Sequence, residues 1–170
     1  MNDMHHLYNS LFSVEPFASF KDYFTVSVVK MVSMVDGFDS SFHSALDCHY
    51  DGSSIGLRDY TTIFQTVRYG IGDHSQDGVI VGVLLNSQRY AGRCFLNPRR
   101  GEEGIMENGL AFALFSGQDE ITIEGLVHHE VLGHGFAKMA DEYAYEYNGD
   151  VPQYVINVVK EQQNAWGNCV

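Results

Sequence analysis

Three of the eight histidines in this 170-residue chain, His128, His129 and His134, lie within seven positions, with Glu130 among them. Two imidazoles on one helical turn can hold zinc, and a glutamate between them can take a proton from the water that the ion activates. In H-E-x-x-H the histidines are four residues apart, whereas His129 and His134 are five apart. On a regular α-helix these two rings would point about 140° away from each other. A shared metal therefore requires a π-bulge, which Gly133 would ease.

Besides the two histidines a third protein ligand is needed, because catalytic zinc is commonly held by three side chains. Asp141 follows His134 by seven residues, which on an unbroken helix is about 10 Å further along the axis. Gly135 offers a place for the helix to end and the chain to turn back. We expect Asp141 to be the third ligand, with Glu142 as the alternative. His128 points about 100° away from the neighbouring ring, which favours packing or hydrogen bonding over ligation.

The residues around Glu130 and His134 favour a metal site over histidines that have an ordinary structural role in a helix. The positions around Glu130 and His134 are largely apolar, namely Ile123, Leu126, Val127, Val131 and Leu132. An uncompensated carboxylate buried among such residues would be costly, and a bound metal would remove that cost.

Composition limits what else the chain can be. Its length and 45% apolar content predict one folded domain over residues 1–170. A formal charge of −12 disfavours nucleic acid or an anionic lipid surface as a partner. The first residues have neither the basic region nor the apolar core of a signal peptide, and no run is long enough for a spanning helix. The three cysteines, Cys48, Cys94 and Cys169, favour free thiols, with a Cys48–Cys94 disulfide as the alternative.

Helical and strand patterns alternate along the chain, which predicts a layered α/β domain with a mixed sheet. Strands are predicted at residues 24–32, 79–86 and 110–115. Helices are predicted at residues 4–13 and 57–70, from about 119 through the histidines, and from about 150 onward. Residues 97–108 are predicted to form a polar loop.

The segment HHEVLGHGFAKMADEYAY, residues 128–145, resembles the active site of the zinc metallopeptidases named after immunoglobulin A peptidase. This family is known largely from gut bacteria, and its H-E-x-x-G-H…D-E-Y form is similar to that of some Bacteroides-type members. LFSVEPFASFKDYFTVSVVKMVS resembles the family's S-x-E-P-F segment and following strand, TTIFQTVR its central helix, and VIVGVLLNSQRYAG its V-x-V-x-x-N-x-x-x-Y-x-G strand. The likeness covers most of residues 8–168.

This resemblance implies a zincin-like fold and a secreted or cell-surface endopeptidase. It implies zinc bound by His129, His134 and Asp141, with Glu130 as general base and a protein or peptide as substrate. Relatives are generally longer at both ends, so we expect an excised domain or a minimal member.

Two further functions remain open at this point. One is a zinc hydrolase acting on another amide, such as peptidoglycan. The other is a non-catalytic module that binds a peptide or glycoprotein, with a structural or vestigial metal. Asn86, Ser87 and Tyr143 are candidate substrate-binding residues, because an edge strand ending at Asn86 could pair with an extended peptide.

Overall fold

The computed structural model describes residues 2–34, 44–51, 54–58, 60–72, 78–87, 89–96, 111–116, 120–139 and 141. The chain divides into two compact units, Met1–Lys138 and Met139–Val170. The first unit carries every helix and strand described below, and a single domain over residues 1–170 stays a prediction. The predicted loop at 97–108 and the helix from about 150 lie outside the described residues, as do Glu142, Tyr143 and Cys169.

The first unit combines helices and strands in alternation, as the sequence predicts. The helices are α1 (Asn2–Leu11), α2 (Thr61–Ile71) and α3 (Glu120–Leu126), and α3 runs directly into a π-helix at Val127–Phe136. A short 3-10 turn covers Lys21–Tyr23. The strands are β1 (Cys48–Asp51), β2 (Ser54–Leu57), β3 (Ile80–Leu85), β4 (Ala91–Leu96) and β5 (Ala111–Ser116).

The strands form a hairpin and a mixed sheet. β1 and β2 pair antiparallel, while the second sheet has the order β3-β5-β4. β5 lies in the middle, parallel to β3 and antiparallel to β4. Gly82, Ala113 and Cys94 are direct cross-strand partners, so these three small residues share one face of the sheet. Across the described strands, β4 is therefore an antiparallel edge strand.

Each face of the three-stranded sheet is covered by a separate apolar cluster. Alternate residues of β3 point to opposite faces: Val83 packs with the β1–β2 hairpin and α2, whereas Leu84 packs against α1, α3 and the π-helix. The buried members of the second cluster are Ala113, Leu126, Val127 and Val131. The histidine-bearing helix is thus fixed to the sheet by its apolar side, and its polar side remains available for a site.

The predicted strand at 24–32 is wrong. These residues are neither helical nor paired with another strand. Val28 and Val32 are exposed, and only Phe24 and Val29 are even half-buried. The β-branched pattern supplies strand propensity, but a strand also needs a hydrogen-bonding neighbour and a surface to pack on.

The boundaries of the other predicted elements are mostly close to those observed. The exception is α2, which begins at Thr61 rather than at 57 because residues up to Leu57 belong to β2. The short strands β1, β2 and β4 are additions to the predicted set. Within the described part of the chain, no helix is both long and apolar enough to cross a membrane.

Both described cysteines are free thiols, so the alternative of a Cys48–Cys94 disulfide is wrong. Cys48 is fully buried in the cluster beneath the hairpin. Burial is the main cause that raises its pKa, to about 11. The neutral thiol behaves here as a small apolar side chain.

Candidate metal centre

The π-helix supplies the extra residue per turn that the histidine spacing requires. The Ala137 N–H donates to the Leu132 carbonyl oxygen at 2.9 Å, an i to i+5 hydrogen bond of the kind expected near Leu132 and Gly133. The wide turns are not confined to a single bulge, however, and extend over ten residues from Val127 to Phe136. Residues five apart on this segment therefore lie about one turn apart on the same side.

His129 and His134 meet on that side of the helix. Their Nε2 atoms are 3.1 Å apart, and their ring planes lie at 83° to each other with centroids 4.5 Å apart. Two nitrogens bound to one tetrahedral zinc at about 2.0–2.1 Å are separated by about 3.3 Å. The observed separation is therefore close to that of two ligands of a single ion.

Asp141 completes a group with these two rings. Among the described residues, His129, His134 and Asp141 can each offer one ligand atom, and the three atoms lie within 4.8 Å of one another. His129 and Asp141 are exposed, and His134 is partly buried. The group could hold a metal ion, and its two nitrogens and one carboxylate oxygen are donors that suit zinc.

The π-helix ends at Phe136, close to the predicted end, but the turn is made by a different residue. Gly135 remains inside the helix and is buried. The backbone adopts the left-handed conformation at Lys138, with φ of 57°, and the Lys138 Nζ donates to the Gly135 carbonyl oxygen. A lysine that hydrogen-bonds a terminal carbonyl in this way caps the helix. The chain thus turns at Lys138, three residues before Asp141.

Glu130 lies on the side of the helix that faces strand β4. Its side chain is only 5% exposed and lies against Gly92. Cys94, two residues along the same face of β4, is also close to it. Burial, followed by the nearby Glu130 carboxylate, raises the pKa of the Cys94 thiol to about 12, against a smaller lowering by Lys138. Glu130 is therefore held between the π-helix and the edge strand.

His128 joins the π-helix to the end of α1. Its Nε2 lies 2.9 Å from the Ser10 carbonyl oxygen and 3.1 Å from the Ser13 hydroxyl, and that hydroxyl donates to Glu124 at 3.0 Å. Because a carbonyl only accepts, the bond to Ser10 places a proton on Nε2 of His128. Such a ring cannot act through that nitrogen as a base for Ser13, so these residues do not form a hydrolytic triad. His128 has the hydrogen-bonding role that the sequence favours.

Aromatic packing fixes the far end of the π-helix. The Phe136 ring lies 5.1 Å from that of Phe17 and 5.7 Å from that of Phe24, measured between centroids. Phe24 in turn contacts Phe12 of the segment that follows α1. The N-terminal residues thus hold the helix at two places, through Phe136 here and through His128 above.

Asn86 and Ser87 follow the end of β3. Asn86 is exposed, whereas the Ser87 hydroxyl lies 3.1 Å from the Tyr50 hydroxyl and accepts the Arg89 N–H at 3.2 Å. Ser87 thus stabilises a turn, and the substrate-binding role of both residues stays a prediction.

Gly92 is the last residue of the V-x-V-x-x-N-x-x-x-Y-x-G resemblance, which gives it no role, and nothing in the sequence points to Lys138. A glycine inside a strand indicates a close approach of another group, which was the available signal for Gly92. The left-handed backbone at a lysine has no comparable signal in the sequence. Comparisons of the chain with protein-family models, with curated proteins and with solved structures find no match.

Proposed function

We propose that this chain is a zinc-dependent endopeptidase with a zincin-like fold. The observation that carries the proposal is the 3.1 Å separation of the His129 and His134 Nε2 atoms on a π-helical turn. His129, His134 and Asp141 are the proposed zinc ligands, and Glu130 is the proposed general base. Bound zinc would polarise the scissile carbonyl and acidify a water molecule.

The donor set supports a catalytic rather than a structural metal. Structural zinc sites are closed by four protein ligands, commonly rich in cysteine, whereas catalytic sites keep a position open with three. The two described cysteines, Cys48 and Cys94, are absent from the group that could hold an ion. Two imidazoles and a carboxylate match the ligand set of many zinc peptidases.

Glu130 has the properties of a base rather than of a ligand. It is the neighbour of His129 in the chain, but it is buried towards β4 and is not a member of the three-residue group. A carboxylate held there can accept a proton from water and return it to the leaving amine. A purely structural metal would have no use for such a group.

The fold supports the same proposal. The π-helix packs on a mixed sheet whose edge strand β4 runs antiparallel to its neighbour and lies next to Glu130. An edge strand can bind an extended peptide through main-chain hydrogen bonds where its outer edge is open. This arrangement suits a protein or peptide substrate, and from the family resemblance we expect the enzyme to act outside the cell or at its surface.

Hydrolysis of an unfolded protein tests this function. We expect the full chain, purified without chelators, to digest casein at neutral pH. A zinc chelator should abolish the activity, and added zinc should restore it, because the His129–His134 pair binds the ion reversibly. Mass spectrometry of the products measures whether internal peptide bonds are cleaved.

Two results would count against the proposal in different ways. Zinc bound at His129 and His134 without hydrolysis of any protein or peptide substrate would favour the non-catalytic binding module. Activity that survives complete removal of zinc would place catalysis at other residues.

A further inference from the structure

Gly92 in strand β4 lies directly against the side chain of Glu130. A Cβ atom built on Gly92 would lie 2.5 Å from Glu130 Oε1, 3.0 Å from Glu130 Cγ and 2.7 Å from Leu126 Cδ2. These separations are well inside van der Waals contact, so any larger residue at this position must displace its neighbours. The glycine therefore creates the space that the Glu130 carboxylate occupies.

The neighbours of Gly92 have little room to move. Glu130 is 5% exposed and Leu126 is 4% exposed, so neither side chain can swing freely into solvent. The strand is also fixed, because Gly92 pairs with Phe115 in the antiparallel ladder between β4 and β5. A side chain at position 92 would thus move the carboxylate, the helix or both.

Space, and not backbone conformation, requires glycine at this position. The described glycines with positive φ are Gly72 and Gly78, so Gly92 adopts a conformation open to other residues. Glycine in a strand interior also weakens the strand, since it adds conformational entropy to the unfolded chain and packs no side chain. The close approach of the Glu130 side chain explains why position 92 is a glycine.

We infer that Gly92 is a positioning residue for Glu130. It leaves room for the Glu130 side chain between the π-helix and β4, in the position from which Glu130 acts as a base. The catalytic part of this inference rests on the proposed function, whereas the steric coupling between Gly92 and Glu130 does not.

A double-mutant cycle measures the steric coupling without any assay of activity. We expect Gly92→Ala to lower the melting temperature of the full chain by roughly 5 °C. In a Glu130→Ala background, Gly92→Ala should lower the melting temperature by less than half as much. The remaining loss comes from the contact with Leu126. Gly125→Ala is the matched control: a Cβ at Gly125 meets nothing within 4 Å, and the melting temperature should stay equal or rise.

The catalytic part is tested by steady-state kinetics of the zinc-loaded protein. We expect Gly92→Ala to reduce kcat at least about tenfold with little change in KM or zinc content, because the base is displaced while the ligands are not. Adding Glu130→Asp should partly rescue Gly92→Ala, because the shorter side chain relieves the crowding. A glycine with a merely structural role would show neither the selective loss of kcat nor the rescue.

The outcomes separate this inference from the proposed function. Equal losses of melting temperature in the two backgrounds would overturn the inference, whatever the activity. In another outcome, the protein binds zinc but hydrolyses no peptide, while Gly92→Ala still lowers the melting temperature less in the Glu130→Ala background. That result would support the steric role of Gly92 and refute the proposed endopeptidase activity. Full activity of Gly92→Ala would overturn the positioning role and leave the endopeptidase standing.

Discussion

Replacing Glu130 by glutamine is expected to reduce peptide hydrolysis by about 10²- to 10⁴-fold while leaving zinc bound. The amide has nearly the shape of the carboxylate but cannot accept the proton of the attacking water. The zinc ligands in the proposal are His129, His134 and Asp141, so the metal content should remain at that of the wild type. Steady-state kinetics and elemental analysis of the same preparation measure both quantities.

Glu124→Gln is the matched control for this substitution. It makes the same change six residues earlier, at the carboxylate that accepts the Ser13 hydroxyl bond, and its activity should stay within a few-fold of the wild type. Loss of zinc together with activity in Glu130→Gln would make Glu130 a ligand, and wild-type activity would remove it from the mechanism.

Replacing either His129 or His134 by alanine is expected to remove both zinc and activity. Each ring contributes one nitrogen of the pair whose Nε2 atoms are 3.1 Å apart, and the remaining imidazole with Asp141 should hold the ion only weakly. We expect zinc affinity to fall by more than about 100-fold, beyond the loss typical of a hydrogen-bonding partner of a ligand. Competition with a zinc indicator measures the affinity.

His128→Ala separates ligation from general damage to this helix. His128 is the immediate neighbour of His129, but its ring is bonded to the Ser10 carbonyl. The variant should keep its zinc and lose only about 1 kcal/mol of stability, because the Ser10 carbonyl loses one hydrogen bond but still accepts from the Ser13 N–H and lies 3.0 Å from the Ser13 hydroxyl. Zinc affinity that falls as far in His128→Ala as in His134→Ala would refute the ligand assignment.

The sequence predicted the apolar strands and the amphipathic helices better than the short or partly polar strands. β3 and β5 are apolar runs next to glycines, and α1 and α2 have clear helical periodicity, so their positions follow from local pattern. β1 and β2 have only four residues each, and β4 carries an arginine and a cysteine. Their pairing depends on tertiary partners that local pattern does not reveal.

In the candidate site, too, some features could be predicted from the local sequence and others could not. Five-residue spacing of two histidines predicts a π-turn because only that geometry brings both rings to one side, and the π-helix at Val127–Phe136 agrees. Its length, the left-handed turn at Lys138 and the close approach of Gly92 to Glu130 depend on the sheet beneath and on chain distant in sequence. Such features cannot be read from a local motif.

Anomalous scattering at the zinc absorption edge, from crystals of the full chain grown without chelators, measures whether His129 and His134 share one zinc ion. We expect one anomalous peak per chain, about 2.0–2.1 Å from Nε2 of both His129 and His134. The contrary result would be two imidazoles joined by a direct hydrogen bond, with no anomalous peak after soaking in zinc at neutral pH.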